Sequence, residues 1–193
     1  MKKYLLFIMA IPLLAAECEY RRFEFVATIG VNEEFIVDNT GSFSEKQTIT
    51  RQQVLDALDI PEQAEIKEIN IEKLSVRVTI LENNQASLIS ASGRLQLGEN
   101  KPDIFKDKTI PLVAVNAPFI GLNNLIAEGV SGLKSKLEGY IYNSDAAPFD
   151  IEIYGDSSPT TGQKINVKIE LIITGSVIYE ECIETISLVG EEC

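Results

Sequence analysis

Cysteine, tyrosine and carboxylate side chains carry the chemistry that this sequence of 193 residues offers, because it contains neither histidine nor tryptophan. Without histidine, the chain cannot form a Ser-His-Asp triad, a Cys-His pair or a histidine-ligated zinc site. The glycine patterns of α/β-hydrolases, P-loop proteins and dinucleotide-binding proteins are also absent from the sequence. We therefore expect a protein that is not an enzyme of any of these classes.

Paired carboxylates are the remaining route to catalysis, since two of them can hydrolyse a glycosidic bond. The 29 aspartates and glutamates are spread along the chain, and no pair is distinguished by its spacing. Acidic side chains are ordinarily exposed, so we interpret most of them as solvated strand faces. A carboxylate-based hydrolase is the least favoured of three functional hypotheses.

Oxygen ligands on loops make Ca²⁺ the one cofactor to consider. Asp145 and Asp150 flank one predicted loop, Asp156 lies in a second, and Asp38 and Asn39 lie in a third. Ca²⁺ binds such hard oxygen ligands, but the sequence has no EF-hand or repeat-type calcium pattern. Aspartate and asparagine also form turns, and we prefer that interpretation, so we expect neither a cofactor nor a metal site.

Two tyrosines form a candidate binding platform. Tyr140 and Tyr142 fall on one side of a predicted strand and lie close to the loop that contains Asp145 and Asp150. Tyrosine combines an apolar ring with a polar tip, which suits ligand contact. Tyrosines are also commonly half-buried at the edge of a core, and that interpretation is preferred here.

Residues 1–16 have the three parts of a bacterial secretory signal peptide: two lysines, an uncharged apolar run of 11 residues, and small residues before a cleavage site after Ala16. The apolar run is too short to span a membrane, which takes about 20 residues. Cleavage would leave one domain, residues 17–193, with 15 basic and 29 acidic side chains and a net charge of −14. We expect export to the periplasm, the outer membrane or the extracellular space. The negative charge argues against nucleic acid as a partner.

The three cysteines are expected in an oxidising compartment if the chain is exported. Cys18 begins the first strand after the leader and Cys182 ends the last long one, so we favour a Cys18–Cys182 disulfide. In the alternative, Cys182 pairs with Cys193 and Cys18 receives a lipid anchor. The residue before Cys18 is Glu17, which fits a lipoprotein signal poorly.

The elements that must position these residues are mostly strands, because apolar residues alternate with polar ones along most of the chain. Glu82–Gln85 is interpreted as a hairpin turn, and the alternating segments on either side of residues 155–162 as a second, long hairpin. A change of parity near Glu72 predicts a β-bulge. Thr50 and Gln53 have the spacing of a capping box at the start of a short helix.

A second helix is predicted over residues 120–138. Its apolar face repeats at helical spacing and consists of Leu122, Ile126, Val130, Leu133 and Leu137. Such a face either covers one side of a sheet or forms the lid of an apolar pocket. The first interpretation is preferred.

Together these patterns predict a mainly β protein, an antiparallel β-sandwich of about seven to nine strands with two short helices as crossovers or a sheet cover. The favoured function is an exported, non-enzymatic binding or structural module of the bacterial cell envelope, not transmembrane, with an unknown protein or envelope component as its partner. The second hypothesis is a carrier of an apolar ligand or lipid in a pocket under residues 120–138. A binding module would show an exposed apolar patch or an unprotected edge strand.

Overall fold

The structure is a computed structural model that describes residues 19–58, 60–61, 63–113, 117–142, 147–157, 162–185 and 191–192. The predicted signal peptide, residues 1–16, lies outside the described residues. Within them the protein is mainly β, as the alternating pattern predicts, and its strands form two antiparallel sheets arranged as a sandwich. The elements in chain order are β1 (Glu19–Thr40), β2 (Ser42–Ile49), α1 (Arg51–Asp56), β3 (Glu65–Ile80), β4 (Leu88–Gln96), β5 (Asp103–Pro111), β6 (Ile120–Gly121), α2 (Ala127–Ile141), β7 (Phe149–Asp156), β8 (Lys164–Thr185) and β9 (Glu191–Glu192).

The described strands divide between two sheets. Sheet A has the order β6-β3-β8-β1-β9, and sheet B has the order β2-β7-β4-β5. Residues of alternate parity from both sheets fill the core; Phe35 and Leu171 of sheet A and Ile151 and Leu95 of sheet B are fully buried. The apolar residues that alternate in the sequence are therefore the side chains that face the other sheet.

The strands β1 and β8 form one long ribbon, pairing over 22 residues without a register shift. The fully buried core ends near Ile29 and Val177. From there to the ends of the two strands, residues 19–28 and 176–185 form a segment that we call the arm, in which β8 also pairs with β3 as far as Glu65. On the arm the rings of Phe25 and Tyr179 stack at 5.5 Å between centroids, and Phe23 lies 6.5 Å from Phe25. The aromatic side chains thus carry the apolar face of sheet A past the centre of the sandwich.

Both predicted hairpins are wrong, because the strands that they join lie in different sheets. β3 pairs with β8 and β6, whereas β4 pairs with β7 and β5. The turn between β3 and β4 is fixed to the start of β8, where the Asn166 backbone N–H donates to Asn84 Oδ1 at 3.0 Å and Asn166 Nδ2 donates to the Glu82 carbonyl at 2.7 Å. Likewise β7 belongs to sheet B and β8 to sheet A. Alternation along a strand does not reveal which strand lies beside it.

Two local predictions are confirmed. The pairing of β3 with β8 shifts register between Ile71 and Lys73, at the predicted bulge. The capping box at α1 is present, with the Thr50 hydroxyl accepting from the Gln53 N–H and the Gln53 side chain accepting from the Thr50 N–H. Short-range geometry of this kind is set by neighbouring residues alone.

The second helix begins later than predicted, at Ala127 rather than near residue 120. Ile120 and Gly121 form β6 by pairing with Val76 and Ser75. Asn124 has a φ of 62°, in the left-handed region, which interrupts a right-handed helix. The helix therefore begins after this residue and continues to Ile141.

Candidate functional site

The tyrosines of the predicted binding platform lie at the end of α2, so their placement on a strand is wrong. Tyr140 is fully buried, and its hydroxyl lies 3.0 Å from the Ile49 carbonyl oxygen and 2.8 Å from that of Ala147. Tyr142 follows the helix and is about half exposed, with its hydroxyl 3.3 Å from the Lys67 carbonyl oxygen. Helical spacing from Leu137 to Tyr140 continues the buried face of α2, which is why the ring of Tyr140 packs inward.

The structure places one of the two acidic members of that platform. Asp145 lies outside the described residues. Asp150 is on β7, where its carboxylate accepts a hydrogen bond of 2.7 Å from the Thr48 hydroxyl of the adjacent β2. Within the part of the chain that the structure describes, no group of three acidic or cysteine side chains could hold a metal ion.

The five residues of the predicted apolar pocket do not share one helix face. Leu122 precedes α2, Ile126 is its N-cap, Val130 is partly buried, and Leu133 and Leu137 are fully buried. A Cβ atom on the neighbouring Gly129 would lie 2.2 Å from the Asp103 carbonyl oxygen of β5. The helix backbone therefore lies directly on the sheet at this point.

A cavity of about 480 Å³ lies elsewhere, between α1, the start of β3 and the last turn of α2. Its apolar lining includes Leu55, Leu58, Ile60, Ile66 and Ile141. Arg51 and Asp56 add polar groups to the same lining. The Arg51 guanidinium is oriented by its Nε–H, which donates to the Tyr140 carbonyl at 2.8 Å. The size is in the range of small-molecule sites.

A buried carboxylate lies on the outer face of sheet B. Glu152 is 3% exposed and lies directly opposite Arg94, whose Nε and Nη2 donate to its two oxygens at 2.9 and 2.8 Å. Ser44 donates to the same carboxylate at 2.5 Å, and Gln96 also donates to it. The hydrogen bonds from Arg94, together with those from Ser44 and Gln96, lower the pKa of Glu152 from its ordinary value of 4.5 to about 2.

The Arg94 side chain is in turn covered by an aromatic ring. Its guanidinium carbon lies 4.6 Å from the centroid of Tyr154, whose hydroxyl donates to Asp103 at 2.9 Å. Burial raises the pKa of Tyr154, and its hydrogen bond to Asp103 acts in the same direction. The network holds Glu152 as an anion near neutral pH, with no proton to donate. Its chemistry is that of an ion pair, and it does not resemble the acid of a hydrolase, which carries a raised pKa.

Sheet A carries an equivalent ion pair on its own outer face. Glu170 on β8 is 4% exposed and accepts hydrogen bonds of 2.7 Å from both Nε and Nη2 of Arg77, the residue opposite on β3. The Arg77 guanidinium carbon lies 4.3 Å from the ring centroid of Phe119. These hydrogen bonds from Arg77, assisted by the charge of Lys168, lower the pKa of Glu170.

The outer edge of β1 has a different character, because none of the described strands pairs with its backbone over much of its length. Among the described residues, this edge pairs only with β9, at Arg21 and Arg22. At the other end, Gln47 Nε2 donates to the Glu34 carbonyl at 2.7 Å. Residues 23–33 lie between these two contacts, and we call them the β1 edge. At about 3.3 Å per residue the β1 edge is some 35 Å long.

Natural edge strands usually carry lysines, prolines, bulges or a short length, which discourage pairing with other chains. The remaining edges within the described parts of both sheets have such protection. β5 contains Lys106, Lys108 and Pro111, and β3 contains two lysines and two register shifts. β2 is eight residues long and contains Lys46.

The β1 edge has none of these four features, and its inward-pointing charge, another device that protects edges, is Glu33 at its end. It contains no lysine and no proline, its pairing with β8 shows no register shift, and the segment from Phe25 to Asn32 carries no charged side chain. Val26, on its outer face, is 68% exposed. The side-chain chemistry of the sequence points to other residues, because nothing in the side chains of this segment is reactive. The signal overlooked in the sequence is the absence of lysine and proline from an unusually long alternating segment.

The cysteines are only partly described. Cys182 lies on β8 opposite Arg22 and is exposed. Cys18 and Cys193 lie outside the described residues, so the disulfide and lipidation hypotheses stay predictions. None of the helices in the described ranges is long and apolar enough to cross a membrane.

No family model and no curated protein matches this chain. Among solved structures, the BFDV capsid protein is similar with a TM-score of 0.35 and 12% identity, over 81% of this chain and 99% of that one. The VP2 subviral particle of infectious bursal disease virus has a TM-score of 0.29 and 10% identity, over 86% of this chain and 38% of that one. The Gx strain of the same virus gives 0.30 and 10%, over 88% and 39% of the two chains.

Proposed function

We propose that the protein is an exported, non-enzymatic module of the bacterial cell envelope that binds a partner by accepting an added strand at the β1 edge. The observation that supports this proposal is the contrast between the β1 edge and the protected edges of β2, β3 and β5. In strand addition, main-chain hydrogen bonds provide affinity and pockets for alternate side chains provide specificity. The β9 pairing at Arg21 and Arg22 supports the same geometry, since a strand already adds there in antiparallel orientation.

The ion pairs on the outer faces favour a structural role over catalysis for the buried carboxylates. Glu152 and Glu170 each accept two hydrogen bonds from one arginine, and both have lowered pKa values. Hydrogen bonds of this kind stabilise the ionised carboxylate and not the protonated acid that could donate a proton. We therefore place the function of the protein at the strand edge and not at these acids.

A peptide selection tests the proposal. A random decapeptide library displayed on phage is selected on the immobilised mature protein, and the enriched peptides are measured against a Val26→Lys variant. We expect binding to fall at least roughly tenfold with this variant, because a lysine on the edge discourages strand pairing. A matched Thr48→Lys variant, on the exposed face of β2, should leave binding unchanged. Equal binding to the wild type and the Val26→Lys variant, or no enrichment at all, would overturn the proposal.

A second candidate function is carriage of a small apolar ligand, supported by the cavity at α1 rather than by the predicted position under α2. Leu55, Leu58 and Ile66 would contact a hydrocarbon chain, and Arg51 would meet a carboxylate head. Isothermal titration with decanoate tests this function. Ala64→Phe, inside the cavity, should abolish binding, whereas Ala127→Phe on the exposed start of α2 should not. Absence of binding to the wild type rejects this candidate.

A further inference from the structure

The β1 edge is bounded at each end by a contact with another part of the chain. The residue at its centre defines where a symmetric pairing of two edges has its axis. β9 occupies the edge at Arg22, and the Gln47 side chain occupies the Glu34 carbonyl. The residues available between them are 23–33, and their centre is Thr28. A strand that pairs with its own copy in antiparallel orientation must be centred on a two-fold axis. An axis perpendicular to sheet A keeps the outer face of one copy continuous with the outer face of the other.

We propose that two copies of the chain associate by antiparallel pairing of their β1 edges about a two-fold axis at Thr28, which forms one continuous sheet through both copies. This inference rests on the proposed function, because it names a second copy as the strand that the β1 edge accepts. In this register the numbers of two residues that lie opposite each other add up to 56. Thr28 therefore faces the second copy's Thr28, and Val26 faces its Gly30.

The outer face of the β1 edge is complementary to itself in this register. Val26 is 68% exposed, and nothing lies within 4 Å of the point where a Cβ atom on Gly30 would be. The open space beside Gly30 therefore receives the second copy's Val26. Glu24 lies opposite the second copy's Asn32, so no like charges face each other on this face. Like charges directly opposite would oppose the pairing.

From Phe25 to Val31 the inner face of the β1 edge is also complementary, whereas the end pair places Phe23 opposite the second copy's Glu33. Phe25 lies opposite the second copy's Val31, and Ala27 lies opposite its Ile29. Phe25 and Ala27 are partly exposed on the arm, whereas Ile29 and Val31 belong to the buried core. Pairing would thus place the apolar face of each core beside the arm of the other copy in one sheet, and it would bury further apolar surface.

The ends of the paired segment also fit. β9 places Glu191 opposite Arg22. The pairing of the two β1 edges therefore ends at Phe23, opposite the second copy's Glu33, next to the position that β9 holds. The centre at Thr28 lies on the arm, so the buried cores, which begin near Ile29 and extend the other way along β1, lie on opposite sides of the axis.

Charge reversal at Thr28 tests the register. Thr28→Lys and Thr28→Glu each place like charges opposite each other at the axis, so each variant alone should weaken dimerisation of the mature protein by roughly tenfold or more. An equimolar mixture of the two variants should recover the dimer, because opposite charges then meet. Sedimentation velocity measures the dimer fraction. Thr48→Lys on β2 is the matched control and should leave the wild-type dimer unchanged.

Other results overturn the inference. If the wild-type protein is a monomer at its highest soluble concentration, the second copy is not the occupant, and only the peptide selection then decides on the proposed function. If both Thr28 variants dimerise as the wild type does, the dimer uses another surface. Thr28 is exposed, so both variants should retain the wild-type melting temperature. If either does not, Asn32→Glu, which places a like charge opposite the second copy's Glu24, should weaken the dimer, whereas Asn32→Lys should not.

Discussion

Arg94 and Glu152 lie directly opposite each other on β4 and β7, and both donors of the guanidinium edge meet both oxygens of the carboxylate. Arg77 and Glu170 repeat this arrangement in the other sheet. In each case the carboxylate is at most 4% exposed, and an aromatic ring lies against the arginine. A bidentate ion pair therefore connects two neighbouring strands on the solvent side of each sheet.

Arg94→Ala should destabilise the protein by about 3 kcal/mol, because it leaves the buried carboxylate of Glu152 without its charged partner. Urea unfolding measures the change in the free energy of unfolding. The matched control is Lys134→Ala, which removes the half-buried pair of Lys134 with Glu138 at 3.8 Å. That pair should contribute less than about 0.5 kcal/mol. Similar losses in the free energy of unfolding would show that the buried pair stabilises the protein no more than the Lys134–Glu138 pair does.

The same ion pair predicts how stability changes with acid. The native pKa of Glu152 is about 2, below the ordinary value of 4.5 that it regains on unfolding. The unfolded state therefore binds more protons between these values, so the stabilisation is complete above about pH 4.5 and is lost as the pH falls toward 2. It amounts to about 3 kcal/mol. Between pH 6 and pH 2, the free energy of unfolding should fall less steeply with pH in Glu152→Gln than in the wild type. The same pH dependence in both proteins would contradict the assignment.

Sequence reasoning predicted the elements better than their arrangement. The alternation of Phe149, Ile151 and Ile153 indicated a strand correctly, because burial of one face needs only local spacing. It placed β7 beside β8, however, because the partner of a strand depends on contacts far apart in the chain. Tyr140 was misplaced for a related reason, since a period of two over three residues also fits the end of a helix.

The candidate site was harder to predict than the fold. Glu152 and Arg94 are separated by more than fifty residues, and nothing in the sequence indicates that β4 and β7 are neighbours. The β1 edge was available to sequence reasoning in part, since the absence of lysine and proline from residues 23–33 is visible there. That β1 would lie at the outside of its sheet was not, because strand order is a property of the whole fold.

The cysteines lead to a prediction for the mature chain. Cleavage after Ala16 and a Cys18–Cys182 disulfide together predict an N-terminus at Glu17 and no lipid on Cys18. Mass spectrometry of the unreduced protein, followed by a peptide map, measures all of these. Loss of the disulfide in Cys182→Ser should lower the free energy of unfolding by about 4 kcal/mol, since the closed loop is long. A Cys182–Cys193 linkage or a diacylglyceryl group would support the alternative instead.

Gly129 and Gly132 provide a matched pair in α2, because replacing glycine by alanine inside a helix ordinarily stabilises it by about 1 kcal/mol. At Gly129 a Cβ atom would lie 2.2 Å from the Asp103 carbonyl oxygen, which belongs to the backbone of β5 and cannot move alone. At Gly132 the nearest atom is Cδ1 of Leu97 at 3.2 Å, the end of a side chain that can rotate. Gly129→Ala should therefore lower the free energy of unfolding by about 2 kcal/mol as α2 is pushed from the sheet, whereas Gly132→Ala should stay within about 1 kcal/mol of the wild type. Urea unfolding of both variants measures the difference, and an equal effect at the two positions would show that α2 does not rest on β5 at Gly129.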